Sequence, residues 1–265
     1  MAKNLHELSR FLDKINKSDS DYSFAKVLDQ VYLCLESGIS KFTEFLDPQR
    51  CNYAQVNLTG LDKFGIIMIA DGGYPDAERK ILGFAPANTG FTELPIAKIL
   101  VEYETKHANL THSDFLGVVL GLGLDRSVTG DIVMLPASAV IIAEARIEDF
   151  LLSNLHKVGR TAVSVSRLLD DAHFFGLDNR VKNRVVCASL RLDNVLAAAF
   201  KLSRGDAASM VKSGKAFVNW HEANSPAKSV KEGDMITLRK HGRVQIAEVA
   251  GKSRKDHFLI DIIRF

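Results

Sequence analysis

The sequence predicts an α+β fold in three parts: an N-terminal α+β domain over residues 1–95, a middle domain over residues 96–178 and a C-terminal domain over residues 179–265. Three observations lead there. Apolar residues near the N-terminus recur at helical spacing before strand-like runs begin. The middle third gives strand and helix signals in the order βαββαβ. The last third opens with two short amphipathic helices that hand over to strands. Charge divides the chain near the second boundary. Residues 181–265 hold 16 Lys and Arg against 8 Asp and Glu, residues 1–180 hold 18 against 24, and the net charge of +2 conceals this asymmetry. Only the C-terminal third has the character to attract a polyanion.

In the N-terminal part, Leu5, Leu8, Phe11, Leu12 and Ile15 fall on one face of a helix over Asn4–Ile15. A second helix is expected from about Tyr22 to Glu36, capped by Asp21 and followed by Gly38. Phe42, Phe45 and Leu46 suggest a short third helix before Pro48. Tyr53–Leu58 and Phe64–Ala70 read as two strands around Gly60-Leu61-Asp62-Lys63. Asp71-Gly72-Gly73 reads as a turn, because neither a Lys-Ser/Thr pair nor a Gly-x-Gly-x-x-Gly spacing accompanies it to make a phosphate loop.

The middle part runs through a strand at Ile99–Glu104, a helix from a Ser113 cap to about Leu122, and strands at Asp131–Leu135 and Ser138–Ala143 about Pro136. An amphipathic helix at Glu144–Leu155 and a strand at Ala162–Leu168 complete it. This order is the split ferredoxin-like arrangement that RNA-recognition motifs share. Such a sheet binds RNA by stacking bases on aromatics of its central strands. Here the first strand offers Tyr103, and Val140–Ala143 offer none. Asp170-Asp171 and Phe174-Phe175-Gly176 form the expected linker, and Arg180, Lys182 and Arg184 begin the basic face.

In the C-terminal part, Leu192, Val195, Leu196, Ala199 and Phe200 line one helix. Ser203 with Asp206 makes a capping box that opens the next, with Ala207, Met210 and Val211 on its core face and Gly214 as its stop. Arg204, Ala208 and Lys212 recur every fourth residue, and Lys215 continues that row of positive charge. Ala216–Trp220 and Met235–Arg239 are strand candidates, Gly233-Asp234 is a turn, and Lys240-His241-Gly242-Arg243 is a basic hairpin tip.

These residues resemble an S4 RNA-binding domain: Arg191-Leu192-Asp193, Ser203-Arg204, Gly214, Val218-Asn219 and Gly233-Asp234 stand in that order near the expected spacings. S4 domains usually carry Gly after the Val-Asn pair, and here Trp220 stands instead. That Trp, a C-terminal S4 domain and a chain of this length look like the YlmH family of bacterial S4 proteins. The resemblance extends to Gly123-Leu124-Asp125-Arg126 and Gly130-Asp131-Ile132. It implies a non-catalytic protein of the translation apparatus that binds structured RNA on the large ribosomal subunit, during quality control of stalled translation. Its implied partners are large-subunit ribosomal RNA and tRNA, with no DNA. The family has also been tied to cell division. Implied phosphate contacts are Arg204, Lys212 and Lys215 from the second helix, Arg191 and Lys201 from the first, and Lys240 and Arg243 from the hairpin. Ser203 belongs to the same site, Asp193 is expected to orient Arg191 or Arg204, and Asn219 to bond backbone or RNA.

Other chemistry finds less support. Leu124-Asp125-Arg126-Ser127-Val128-Thr129-Gly130 partly resembles the Asp-bearing loop of pseudouridine synthases, many of which carry S4 domains. Gly123 stands where that loop has Arg, and the S4 domain is at the other end of the chain. An Asp bonding backbone amides in a tight turn is the ordinary reading of Asp125. The eight His are scattered and Cys34, Cys51 and Cys187 lie far apart, so metal sites, disulfides and cofactors are not expected. No apolar run is long enough to span a bilayer. A reducing cytoplasm suits such a chain.

Overall fold

Leu8 and Leu12 on helix α1 (Ala2–Asn16) and Phe24, Val27, Leu28 and Val31 on α2 (Tyr22–Ser37) are all buried, so one apolar stripe on each helix builds the first core. In the computed structural model the described residues are 2–16, 22–75, 77–91, 93–104, 110–168, 181–253 and 255–264. The expected Asp21 cap, the 170–176 linker and Arg180 fall outside them. The chain divides into two compact units, Met1–Leu177 and Asp178–Phe265.

Two expectations for the N-terminal part are corrected. Residues 53–57 are helical, within α3 (Pro48–Asn57), not a strand. The signal was Asp47-Pro48: the Asp47 carboxylate accepts the Arg50 N–H at 2.9 Å, and Pro occupies a first-turn position where an N–H has no partner to lose. Cys51, Ala54 and Leu58 then bury on one face. The short helix expected at Phe42–Leu46 is instead strand β1 (Lys41–Phe42) with a further bridge from Leu46 to Lys80. A strand absent from the sequence reading, β3 (Ile81–Pro86), forms the centre of a sheet ordered β1-β3-β2, with β2 at Ile66–Asp71.

The middle part comprises β4 (Ile96–Glu102), α4 (His112–Gly121), β5 (Thr129–Met134), β6 (Ser138–Glu144), α5 (Glu148–Asn154), the small hairpin β7–β8 (Lys157–Val158, Thr161–Ala162) and β9 (Ser164–Arg167). Its antiparallel sheet is ordered β5-β6-β4-β9, the ferredoxin-like order. The cap of α4 is Thr111, not Ser113: its N–H donates to Asp114 at 2.8 Å and its hydroxyl to the same carboxylate at 2.7 Å. Helices α4 and α5 cover one face through Phe115, Val119 and Leu151.

The other face is the one on which RNA-recognition sheets stack bases, and here it is closed. Val140 and Ile142, both 0% exposed, pack with Ile96, Leu100 and Val133 under Phe42, Phe45, Tyr74 and Ile81 of the N-terminal part. Tyr103 points to the helical side, against Phe115 at 5.9 Å between ring centroids.

The seam accounts for the Gly123–Ile132 motif. A Cβ on Gly130 would lie 2.8 Å from the Phe45 ring and 3.1 Å from Ile142. Arg79 donates to the carbonyls of Phe45 at 2.7 Å, Arg126 at 2.9 Å and Thr129 at 3.0 Å. Asp131 accepts from Tyr74 Oη at 3.0 Å and from the N–H groups of Glu78 at 2.7 Å and Arg79 at 3.3 Å. Gly130→Ala is therefore expected to lower the stability of the first unit by about 1–3 kcal/mol, read as the shift of a denaturant midpoint. An unchanged midpoint would show that the seam repacks at no cost.

Burial pushes the Asp131 carboxyl above its ordinary range, against the pull of its Tyr74 and Arg79 hydrogen bonds. A raised folded value means that this group's contribution is fully present below the unfolded value near 3.9 and is lost as pH rises through the folded value. Asp131→Asn cannot ionise, so it should gain on the wild type as pH rises from about 4 to about 7. A stability difference that is flat over that range contradicts this.

The second unit is a sheet ordered β10-β15-β14-β13-β11-β12 with helices α6 (Leu192–Phe200) and α7 (Arg204–Lys212) on one face. Its strands are β10 (Val181–Cys187), β11 (Ala216–Val218), β12 (His221–Glu222), β13 (Met235–Leu238), β14 (Gly242–Lys252) and β15 (Phe258–Arg264). Leu192, Val195, Leu196, Ala207 and Val211 bury against Val218, Ile236, Leu238, Val244, Ile246 and Ile260. Strands β10, β14 and β15 extend the sheet beyond the two strands expected from the sequence.

Candidate nucleic-acid interface

Helix α7 begins where Ser203 accepts the Asp206 N–H at 3.0 Å and returns its own hydroxyl proton to the Asp206 carboxylate at 2.7 Å. Ser203 is thus a cap, and its side chain is engaged in that role. Arg204 follows at the first helical position, the positive end of the helix dipole, where a cation is disfavoured. Arg191 stands at the equivalent end of α6, with no side-chain cap bond of its own.

One carboxylate holds both arginines. Asp193, 3% exposed, accepts Arg191 Nε at 3.1 Å and Nη2 at 2.9 Å, and Arg204 Nε at 3.2 Å. It also accepts the Asn194 N–H at 2.9 Å. The Arg191 hydrogen bonds, then those of Arg204, hold its carboxyl below the usual carboxylate range. Asp193, expected to orient Arg191 or Arg204, bonds both.

The other cations form a second group. The Arg239 N–H donates to the Lys215 carbonyl at 2.9 Å, which ties the end of α7's loop to the β13–β14 tip. The tip's His241 ring lies 6.2 Å from the Phe200 ring, at the end of α6, where Lys201 takes a left-handed φ of 55°. Lys201, Lys212, Lys215 and Lys240 are exposed, and among the described residues none has an ion-pair partner. Arg243 is half-buried, and burial lowers its pKa.

Asn219, expected to bond backbone or RNA, bonds backbone here. Its N–H donates to the Met235 carbonyl at 2.8 Å, its Nδ2 to Asp234 at 2.9 Å, and its Oδ1 accepts the Met235 N–H at 2.9 Å. The amide is engaged in fixing the turn. The sequence reading also passed over Arg239, whose guanidinium lies 4.9 Å over the Phe217 ring, and Arg264, which donates to the Ala199 carbonyl at 2.5 Å. The basic run after Leu238 was the available signal for the first. Nothing local marks the second, which comes to α6 from 65 residues away.

Asp125 caps the turn at Arg126–Val128 by accepting the Ser127 N–H at 2.8 Å, and this bond lowers its pKa. It is exposed. Among the described residues no group of three or more His, Cys, Asp or Glu is placed to hold a metal, and no helix is long and apolar enough to cross a membrane.

Two short helices on an antiparallel sheet, with arginines gathered at their N-termini over a buried carboxylate, define an S4-domain protein, and the S4 domain family matches residues 190–236. The family described as "Putative RNA-binding domain in YlmH" matches residues 89–170. The "Ribosome-associated protein quality control protein P2" of Bacillus subtilis is 32% identical over 228 residues, 84% of this chain and 87% of that protein. The chain belongs to the YlmH family. "Small ribosomal subunit protein uS4" of Syntrophomonas wolfei is 40% identical over 62 residues, 23% of this chain and 30% of that one. A solved structure, "Cell division protein ylmH from Streptococcus pneumoniae", is 24% identical, covers 61% of this chain and 91% of its own, and superposes with a TM-score of 0.41.

Proposed function

We propose that the chain is a non-catalytic, cytoplasmic RNA-binding protein that docks on the large ribosomal subunit. There it would contact ribosomal RNA and P-site tRNA during quality control of stalled translation. The observation that carries this reading is the Arg191–Asp193–Arg204 clamp: two guanidiniums held in fixed geometry at helix ends where the dipole opposes them. Arginine forks of this kind suit phosphate, and Lys201, Lys212, Lys215, Lys240 and Arg243 extend the cationic surface. Phosphate contacts set affinity and register, so discrimination comes from RNA shape. Support for the destination comes from the Bacillus subtilis relative, whose name places that protein in ribosome-associated quality control.

In this reading no cofactor takes part, and the chain's working divisions fall near residues 95 and 178. The sheet of the middle part, closed on its stacking face, acts as scaffold. Crosslinking the full chain to RNA in cells and sequencing the fragments tests the destination. Crosslinks concentrated in large-subunit RNA and tRNA are expected, and crosslinks confined to messenger or small-subunit RNA contradict it.

A further inference from the structure

Trp220 is the chain's one tryptophan. It is the second residue of the two-residue turn between β11 and β12, at φ 65° after 50° at Asn219. A turn with both central residues left-handed favours Asn-Gly. Asn219 fits that pattern, whereas a bulky side chain at positive φ is a genuine outlier. The ring is partly buried but is not among the side chains packed on the core beneath α6 and α7. Among the described residues its Nε1–H, shielded from solvent, meets no acceptor. A left-handed backbone and an unsatisfied donor thus coincide at one residue outside that core.

The platform beneath it is rigid. Asn219 is fixed to Asp234 and Met235 by three hydrogen bonds, and Asp234 also accepts the Lys231 N–H at 2.9 Å. Three residues before Trp220, on β11, Phe217 carries the Arg239 guanidinium over its face, and Arg239 is bonded through its backbone to Lys215. An indole and an aromatic–guanidinium pair carried on one hairpin of this basic unit match the chemistry of an unstacked base with its phosphates, not that of an apolar protein surface.

We infer that Trp220 is a base-stacking residue: on binding, its ring stacks on an unpaired base of the RNA, and Nε1–H finds an acceptor there. This rests on the RNA-binding reading above. The test uses the full chain and bulk tRNA carrying a fluorescent end label. Label anisotropy reports binding, and tryptophan emission reports this one residue. Expected are quenched emission on binding, and for Trp220→Gly an affinity lower by roughly tenfold with a thermal midpoint unchanged or raised. RNA that binds without changing the emission, and binds Trp220→Gly as well as wild type, overturns the assignment and leaves the RNA reading intact. A lowered midpoint in Trp220→Gly also overturns it, by making the indole structural. Labelled tRNA that fails to bind even in dilute buffer counts against the RNA reading itself.

Discussion

Arg204→Glu is expected to weaken RNA binding on the order of a hundredfold in dilute buffer while leaving the C-terminal unit about as stable as before. The two effects have opposite origins. For the helix the change is favourable: a carboxylate at the first helical position agrees with the dipole, worth about 0.3–1 kcal/mol, and the Ser203 cap is untouched. Against it stands loss of the bond to Asp193, an ion pair whose arginine side chain is 60% exposed and which is therefore worth at most about 1 kcal/mol. These nearly cancel. For a polyanion they do not, because one phosphate contact disappears and a like charge takes its place. The slope of log affinity against log salt should become shallower by about 1 or more. Filter binding over a salt series, beside a thermal melt, checks both halves. A variant that binds normally, or that unfolds, contradicts the assignment of Arg204 to the interface.

Asp193→Ala should lower RNA affinity by about tenfold and stability by about 1–2 kcal/mol. Removing a negative charge from beneath a phosphate-binding face would, by Coulomb's law alone, raise affinity, but a bound phosphate would lie on the outer side of two half-exposed arginines, where water and salt weaken that gain. The opposing effect is larger. Two long side chains lose their anchor, and re-ordering each on binding costs about 0.5–1.5 kcal/mol. Their mutual repulsion is also no longer compensated. The pH dependence has a definite sign: a folded pKa held below the unfolded value gives stability that is present above about 3.9 and disappears as pH falls through the folded value. The wild type's advantage over Asp193→Ala should therefore shrink in strong acid. Equal affinity with intact folding would show that the arginines need no anchor.

What the sequence made legible follows the range of the forces involved. The two C-terminal helices, the Ser203–Asp206 cap and the spacing of Arg204 and Lys212 are local, set within one or two turns, and the structure has them where the residues point. The strand order of the middle part followed from the succession of its elements, since that succession leaves few ways to fold. Three features depended on distant partners and were not legible. One is that Asp193 is buried and bonds both arginines: the resemblance pointed to one or the other, and only the fold brings Arg204, eleven residues on, over a carboxylate already held by Arg191. Strand β3 is a continuous apolar run that becomes recognisable only between its two neighbours. The closure of the middle sheet by Phe45 and Ile81 joins segments too far apart for any periodicity to reveal. Helix α3 differs from these, since its signal is local: Tyr53–Leu58 resembles a strand in composition, but the Asp47-Pro48 start commits the segment to a helix.

The most direct test is sedimentation of the full chain with purified large ribosomal subunits on gradients at low ionic strength. The comparison is between wild type and a variant reversed at Arg204, Lys212 and Lys215 to Glu, with circular dichroism confirming that both are folded. Wild type should travel with the subunits and the variant should stay at the top of the gradient. A folded variant that still travels with them would show that this cationic face is not what holds the RNA.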